Sequence, residues 1–172
     1  MQNMNLELKG NNIIDDNELP KRVVKLLMEK NMTLSSAESC TGGLFSQEVT
    51  NISGASQIFD RGIVTYSNNA KMEELGVRAE TLDAFGAVSK ETAYEMAEGV
   101  RKVSGTDIGV SVTGIAGPTG ATKEKPVGLV YIGISTKDII NVRELRLEGD
   151  RTQNRQNSMR NMFDIIYEIL IK

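Results

Sequence analysis

Histidine is missing altogether from the 172 residues. Its absence removes Ser-His-Asp and Cys-His nucleophile pairs, histidine-ligated zinc, and any imidazole acid or base. Proton transfer near neutral pH therefore falls to Lys, Tyr, Asp, Glu or a group on the substrate. Cys40 is the single cysteine, which excludes an intramolecular disulfide and a cysteine-rich metal cluster and suits a reducing compartment. No apolar run reaches membrane-spanning length, and the first residues lack the charged-then-apolar pattern of a secretory signal; a cytoplasmic chain with no membrane partner is expected. Nor is there an excess of positive charge. Twenty basic against twenty-three acidic residues leave a net charge of −3, too little basic field to hold a nucleic-acid backbone, so no nucleic-acid partner is expected.

What is present suits one folded domain, since hydrophobic residues make up 40% and charged residues 25% of the chain. Residues 1–17 are Asn-rich and weakly patterned, and read as a flexible extension with one short strand around Leu6–Leu8. Residues 18–172 read as a single domain. Pro20 suits the first turn of a helix whose apolar stripe is Val23, Val24, Leu26 and Leu27. Thr33–Ser39 reads as a strand broken by Gly42 and Gly43, with a helix through Val49. Ile58–Tyr66 is a strand candidate. Ser67 caps a helix over Asn68–Leu75, and another short helix covers Ala79–Phe85. Ser89 caps a longer helix with an inward face of Ala93, Met96, Ala97, Val100 and Val103. Thr106–Val112 is β-branched enough for a buried strand, and Val127–Ser135 and Ile139–Leu147 read as a hairpin. Asp150, with Gln153 at the capping-box position, opens a last helix with Met159, Met162, Phe163, Ile166, Ile169 and Leu170 as its core stripe. Helices interleaved with strands and a late hairpin imply an α/β sandwich with a mixed sheet.

Three turns that follow strands are the candidates for chemistry. The first, Ala37-Glu38-Ser39-Cys40-Thr41-Gly42-Gly43, runs from a strand into a helix start, where free backbone N–H groups can hold a phosphate or a developing oxyanion beside the Ser39 and Thr41 hydroxyls. A helix cap plus a tight turn explains the same spacing. Strand alternation turns Cys40 away from Ser39, into the core. The second, Gly62 to Lys71, places Tyr66 at a strand end and Lys71 in the next helix; without histidine, a desolvated lysine or a Tyr–Lys pair is the credible base. The third, Val112 to Gly120, leads to Lys125-Pro126-Val127-Gly128 and suits a binding loop at the sheet's carboxyl edge. It matches neither G-x-x-x-x-G-K-[ST] nor G-x-G-x-x-G. Arg151, at a helix start after Gly149, offers a guanidinium that suits a phosphate or carboxylate, although an exposed surface charge explains it equally.

Taken in order, A-E-S-C-T-G-G at 37–43, F-D-R-G-I-V-T-Y-S-N at 59–68, Lys71 with Leu75-Gly76-Val77, Gly86-Ala87-Val88-Ser89, V-T-G-I-A-G-P at 112–118, K-P-V-G at 125–128 and Gly149-Asp150-Arg151 resemble the C-terminal domain of the competence/damage-inducible CinA family. They resemble it in its free-standing form, the nicotinamide-nucleotide amidases. The likeness runs over residues ~19–170. It implies a three-layer α/β/α sandwich with a mixed, mainly parallel sheet. It also implies hydrolysis of the carboxamide of nicotinamide mononucleotide (NMN) to nicotinic acid mononucleotide and ammonia, in bacterial pyridine nucleotide salvage, with no metal or organic cofactor. The nucleotide-pyrophosphatase activity of larger CinA proteins is not carried over.

On that resemblance Ser39 is expected to attack the carboxamide carbon, with backbone N–H groups around Thr41, Gly42 and Gly43 holding the oxyanion. Ser39, Tyr66 and Lys71 are expected to work as a unit in which Lys71 is the ultimate base and Tyr66 relays the proton or holds Lys71. Thr113 and Gly114 would shape the nicotinamide and ribose pocket; Arg151, and after it Arg61, would meet the phosphate. Apolar surface on the outer helices would support a homodimer. Three other readings stay open: a nucleotide-binding module without turnover, an amidase for a different carboxamide, and a competence-related partner domain.

Overall fold

The computed structural model describes residues 18–172; the extension at 1–17, with the strand expected at Leu6–Leu8, lies outside the described residues. The elements are α1 (Leu19–Glu29), β1 (Leu34–Glu38), α2 (Leu44–Thr50), a 3₁₀ turn (Ala55–Gln57), β2 (Phe59–Val64), α3 (Asn68–Leu75), α4 (Ala79–Phe85), α5 (Lys90–Ser104), β3 (Ile108–Gly114), β4 (Leu129–Ser135), β5 (Ile140–Arg146) and α6 (Arg151–Leu170). Local chemistry fixes their starts. Ser67 accepts from Ala70 N to begin α3, Ser89 accepts from Thr92 N to begin α5, and Asp150 and Gln153 close a reciprocal capping box on α6.

The five strands form one sheet in the order β2-β1-β3-β4-β5. β1 is parallel to both β2 and β3, whereas β4 is antiparallel to β3 and to β5. The sheet is therefore mixed, and β4 alone runs against the other four.

Period-two alternation sorts the strand residues into two different interfaces. Leu34 on β1, Ile108, Val110 and Val112 on β3, and Val130, Ile132 and Ile134 on β4 meet α1, α2 and α6 in the larger core. Phe45 of α2 and Phe163 of α6 stack there with ring centroids 4.6 Å apart, a contact whose truncation to alanine costs about 3–5 kcal/mol. The opposite face carries small and hydroxylic residues. A Cβ on Gly109 would stand 2.4 Å from Ala97 O, and one on Gly133 would stand 2.4 Å from Ala93 O, so glycine is what lets α5 lie directly on the sheet. Ser111 Oγ donates to Ala93 O at 2.6 Å. Ala37, Leu75, Val77, Leu82, Met96 and Val100 complete this second, smaller core. Val103, expected on the inward face of α5, is instead 52% exposed; it lies in the last turn of α5, past the edge of that core.

The layers are thus α1/α2/α6, sheet, and α3/α4/α5. The chain leaves β1 for β2 on one side and later returns to β3 on the other. β1 is therefore the switch point, and its carboxyl end opens the crevice where ligands bind in open α/β sheets.

Candidate active site

Ser39 immediately follows β1, on the face shared with Ser35 and Ala37. Its N–H donates to Val112 O at 3.0 Å, and its carbonyl accepts from Gly42 N at 3.1 Å. On the same side of the sheet, α3 carries Lys71, which is only 1% exposed. Lys71 Nζ donates to Thr65 O at 2.7 Å and to Ser39 Oγ at 3.2 Å. Burial holds its pKa below the ordinary 10.5, because an ammonium without water costs free energy that the neutral amine does not. A hydroxyl and an amine of lowered basicity are thereby joined in one hydrogen-bonded pair.

Both line a cleft of about 290 Å³ at the carboxyl ends of the parallel strands. Its walls come from Ser39 and Cys40 after β1, Tyr66 after β2, Ala87 and Val88 before α5, the 113–120 loop after β3, and Arg151 of α6. No Asp or Glu lines it; its charged side chains are Lys71 and Arg151. Cavities of about 460, 570 and 480 Å³ elsewhere are larger, but in this cleft a serine hydroxyl is hydrogen-bonded to a buried lysine amine, so chemistry rather than size selects it. Among the described residues no group of three or more Cys, Asp or Glu is placed to hold a metal ion.

Tyr66 stands apart from the Ser39–Lys71 pair. Its ring is 62% exposed, and its hydroxyl accepts from Arg151 Nη2 at 3.2 Å rather than bonding Lys71 or Ser39. Arg151 Nη1 also donates to Gly117 O at 2.8 Å. The expected three-residue unit is thus a Ser39–Lys71 pair, with a Tyr66–Arg151 pair at the rim.

Two of the expected oxyanion donors, Gly42 and Gly43, are already bonded within the turn. Gly43 N donates to the Glu38 carboxylate at 3.0 Å, and Gly42 N is taken by Ser39 O. Thr41 is fully buried with its hydroxyl on Glu38 at 2.6 Å. None of the three lines the cleft. Among the described residues no backbone carbonyl accepts from the N–H groups of Cys40 and Thr41. Thr113 and Gly114 do line the cleft, although the Thr113 hydroxyl is committed to Ala87 O at 2.7 Å and so offers wall rather than a free donor. Arg61 is displaced from the site: it sits on the edge strand β2, paired with its neighbour Asp60. Cys40 packs in the larger core, and burial pushes its thiol pKa up to about 12.

Three contributors escape the sequence reading. Glu38 is fully buried at the base of the turn. Arg155 donates through Nε to Cys40 O at 3.2 Å and through Nη2 to Thr41 O at 2.8 Å. Asn154, also fully buried, donates to Ala116 O and Gly149 O and so ties α6 to the cleft loop. An acid at a strand's end pointing toward a helix start was the one legible signal, and it concerns Glu38; Arg155 and Asn154 come from 114 or more and 38 residues away.

Comparison with known proteins finds likeness along nearly the whole chain. Residues 16–170 match the model of the CinA C-terminal domain. A relative in Acetivibrio thermocellus, named for competence-damage induction, is 54% identical over 158 residues, covering 92% of this chain and 38% of its own length; the chain spans little more than a third of such relatives. The crystal structure of the competence/damage inducible protein CihA from Agrobacterium tumefaciens superposes with a TM-score of 0.88 at 40% identity, over 95% of this chain and all of that one. A CinA superfamily protein from Klebsiella pneumoniae gives 0.88 at 32% identity, over 92% of this chain and 99% of its own.

Proposed function

Since this chain belongs to the CinA C-terminal domain family, we propose that it is an amidase that deamidates NMN to nicotinic acid mononucleotide and ammonia through a serine nucleophile. The observation that carries this reading is the buried Lys71 Nζ at 3.2 Å from Ser39 Oγ in a cleft. Neutral Lys71 takes the Ser39 proton as Oγ attacks the carboxamide carbon. The Thr65 carbonyl engages one N–H of the amine and leaves its lone pair for that proton. The tetrahedral oxyanion is met by backbone N–H groups of the turn, each typically worth about 3–4 kcal/mol in the transition state. Protonated Lys71 then returns its proton to the leaving nitrogen. Ammonia departs, and water, deprotonated by the same lysine, cleaves the acyl ester.

The charge pattern suits this substrate. A pyridinium beside the dyad favours the neutral form of Lys71. The absence of a cleft carboxylate removes repulsion from the phosphate, and Arg151, held by Gly117 O and Tyr66, meets it at the rim. The test is incubation of the purified protein with NMN in the presence of a chelator, with detection of the acid product and ammonia. Stoichiometric appearance of both is expected; intact NMN after prolonged incubation at high protein concentration would contradict the reading.

A further inference from the structure

Glu38 is the last residue of β1 and has no solvent exposure. Its carboxylate accepts five hydrogen bonds. One oxygen takes Thr41 Oγ1 at 2.6 Å, Gly43 N at 3.0 Å and Phe45 N at 3.1 Å; the other takes Ser46 N at 2.9 Å and Ser46 Oγ at 2.7 Å. α2 begins after Gly43, whose φ of +98° suits glycine and which has no side chain with which to cap. A capping oxygen ordinarily reaches the N–H groups two and three residues into the helix. Here those groups belong to Phe45 and Ser46, and the oxygens arrive from a strand residue five positions before the cap. Strand end and helix start are thereby tied to one carboxylate, and the turn bearing Ser39 is closed between them.

The carbonyl side of the turn is tied as well. Arg155, half-buried on α6, holds Cys40 O and Thr41 O. Ser39 Oγ meets Lys71 at 3.2 Å, the long end of the hydrogen-bond range, so a small shift of the turn would break the contact.

We infer that Glu38 and Arg155 are positioning residues that frame the Ser39 turn, Glu38 from its N–H side and Arg155 from its carbonyl side, and hold Ser39 in reach of Lys71. The inference rests on the serine-nucleophile reading but not on the identity of the amide.

A fluorophosphonate probe tests it without reference to NMN. Ser39 Oγ forms the P–O bond, fluoride leaves, and the hydroxyl proton passes to Lys71. Labelling at Ser39, followed by peptide mass spectrometry, is compared in wild type, Glu38→Gln, Arg155→Met, Arg155→Lys and Arg143→Met. The last breaks an ion pair to Glu168 far along α6 and is the matched control. Misplacement by about 1 Å costs on the order of 10²-fold. Labelling is therefore expected to slow by at least about tenfold in Glu38→Gln and Arg155→Met, with partial recovery in Arg155→Lys and none of the loss in Arg143→Met. Where NMN turns over, kcat is expected to fall while KM holds. Circular dichroism checks the fold; should Glu38→Gln not fold, Arg155→Met carries the test. A folded Arg155→Met with wild-type labelling, a loss confined to KM, or a wild type unlabelled at Ser39 would overturn the inference. Normal labelling without NMN hydrolysis would sink the substrate alone.

Discussion

Lys71 Nζ stands 3.2 Å from Ser39 Oγ, and the lysine that makes this contact is almost completely buried. Burial is what turns a lysine into a base at moderate pH, because it disfavours the ammonium form. Lys71→Met is accordingly expected to lower kcat for NMN by about 10²–10⁴-fold, the usual worth of a positioned acid–base group, with a much smaller change in KM. Steady-state kinetics decide this; a rise in KM alone would make Lys71 a binding residue. In wild type, kcat/KM is expected to rise with pH through a midpoint below 10.5, since the proposed base is the neutral form of Lys71.

The same burial predicts a stability signature. Between the lowered native pKa of Lys71 and its ordinary 10.5, the unfolded chain binds a proton that the native chain does not. Stability therefore rises with pH across that window. Lys71→Met lacks this contribution. The Tm of the variant minus that of wild type is expected to shrink as pH rises toward 10.5, measured by thermal melts at several pH values. A difference independent of pH would show that Lys71 is charged in the native protein.

At the rim, Arg151 and Tyr66 are bonded to each other and not to the dyad. Arg151→Met is expected to raise KM for NMN by roughly tenfold or more, the loss of a charge-assisted contact of about 1.5–3 kcal/mol, and to leave kcat nearly unchanged. Tyr66→Phe is expected to raise KM by a few-fold. Nicotinamide riboside, which lacks the phosphate, should be insensitive to Arg151→Met. A large kcat loss in Tyr66→Phe would restore the phenol to a proton relay.

Cys40 adjoins Ser39 in sequence, but its thiol pKa is pushed up to about 12. The thiolate is the reactive form. Iodoacetamide at pH 8 is therefore expected to leave the folded protein unmodified, as intact mass would show. Cys40→Ala is expected to retain activity within a few-fold and to lose about 1 kcal/mol of stability.

The sequence carries most of this architecture because local signals agree with tertiary demands. Ser67, Ser89 and Asp150 cap the helices they announce, and alternation in β1 separates Ser39 from Cys40. Lys71 and Ser39 were legible because removing histidine leaves few bases, and because both follow parallel strands of one sheet. What stayed hidden is side-chain commitment. Gly42 and Gly43 look like open donors, yet Glu38 and Ser39 O consume their N–H groups. Tyr66 looks like a partner of Lys71, yet Arg151, 85 residues away in the chain, takes its hydroxyl. Contacts of that range are set by how α6 packs across the sheet ends, which no local pattern encodes.

In the proposed reaction the Ser39 hydroxyl is the attacking group. Ammonia release from NMN by Ser39→Ala, at protein concentrations where the folded variant still binds NMN as wild type does, tests it most directly. No release above the uncatalysed background is expected; turnover at the wild-type rate would mean that another group attacks the amide.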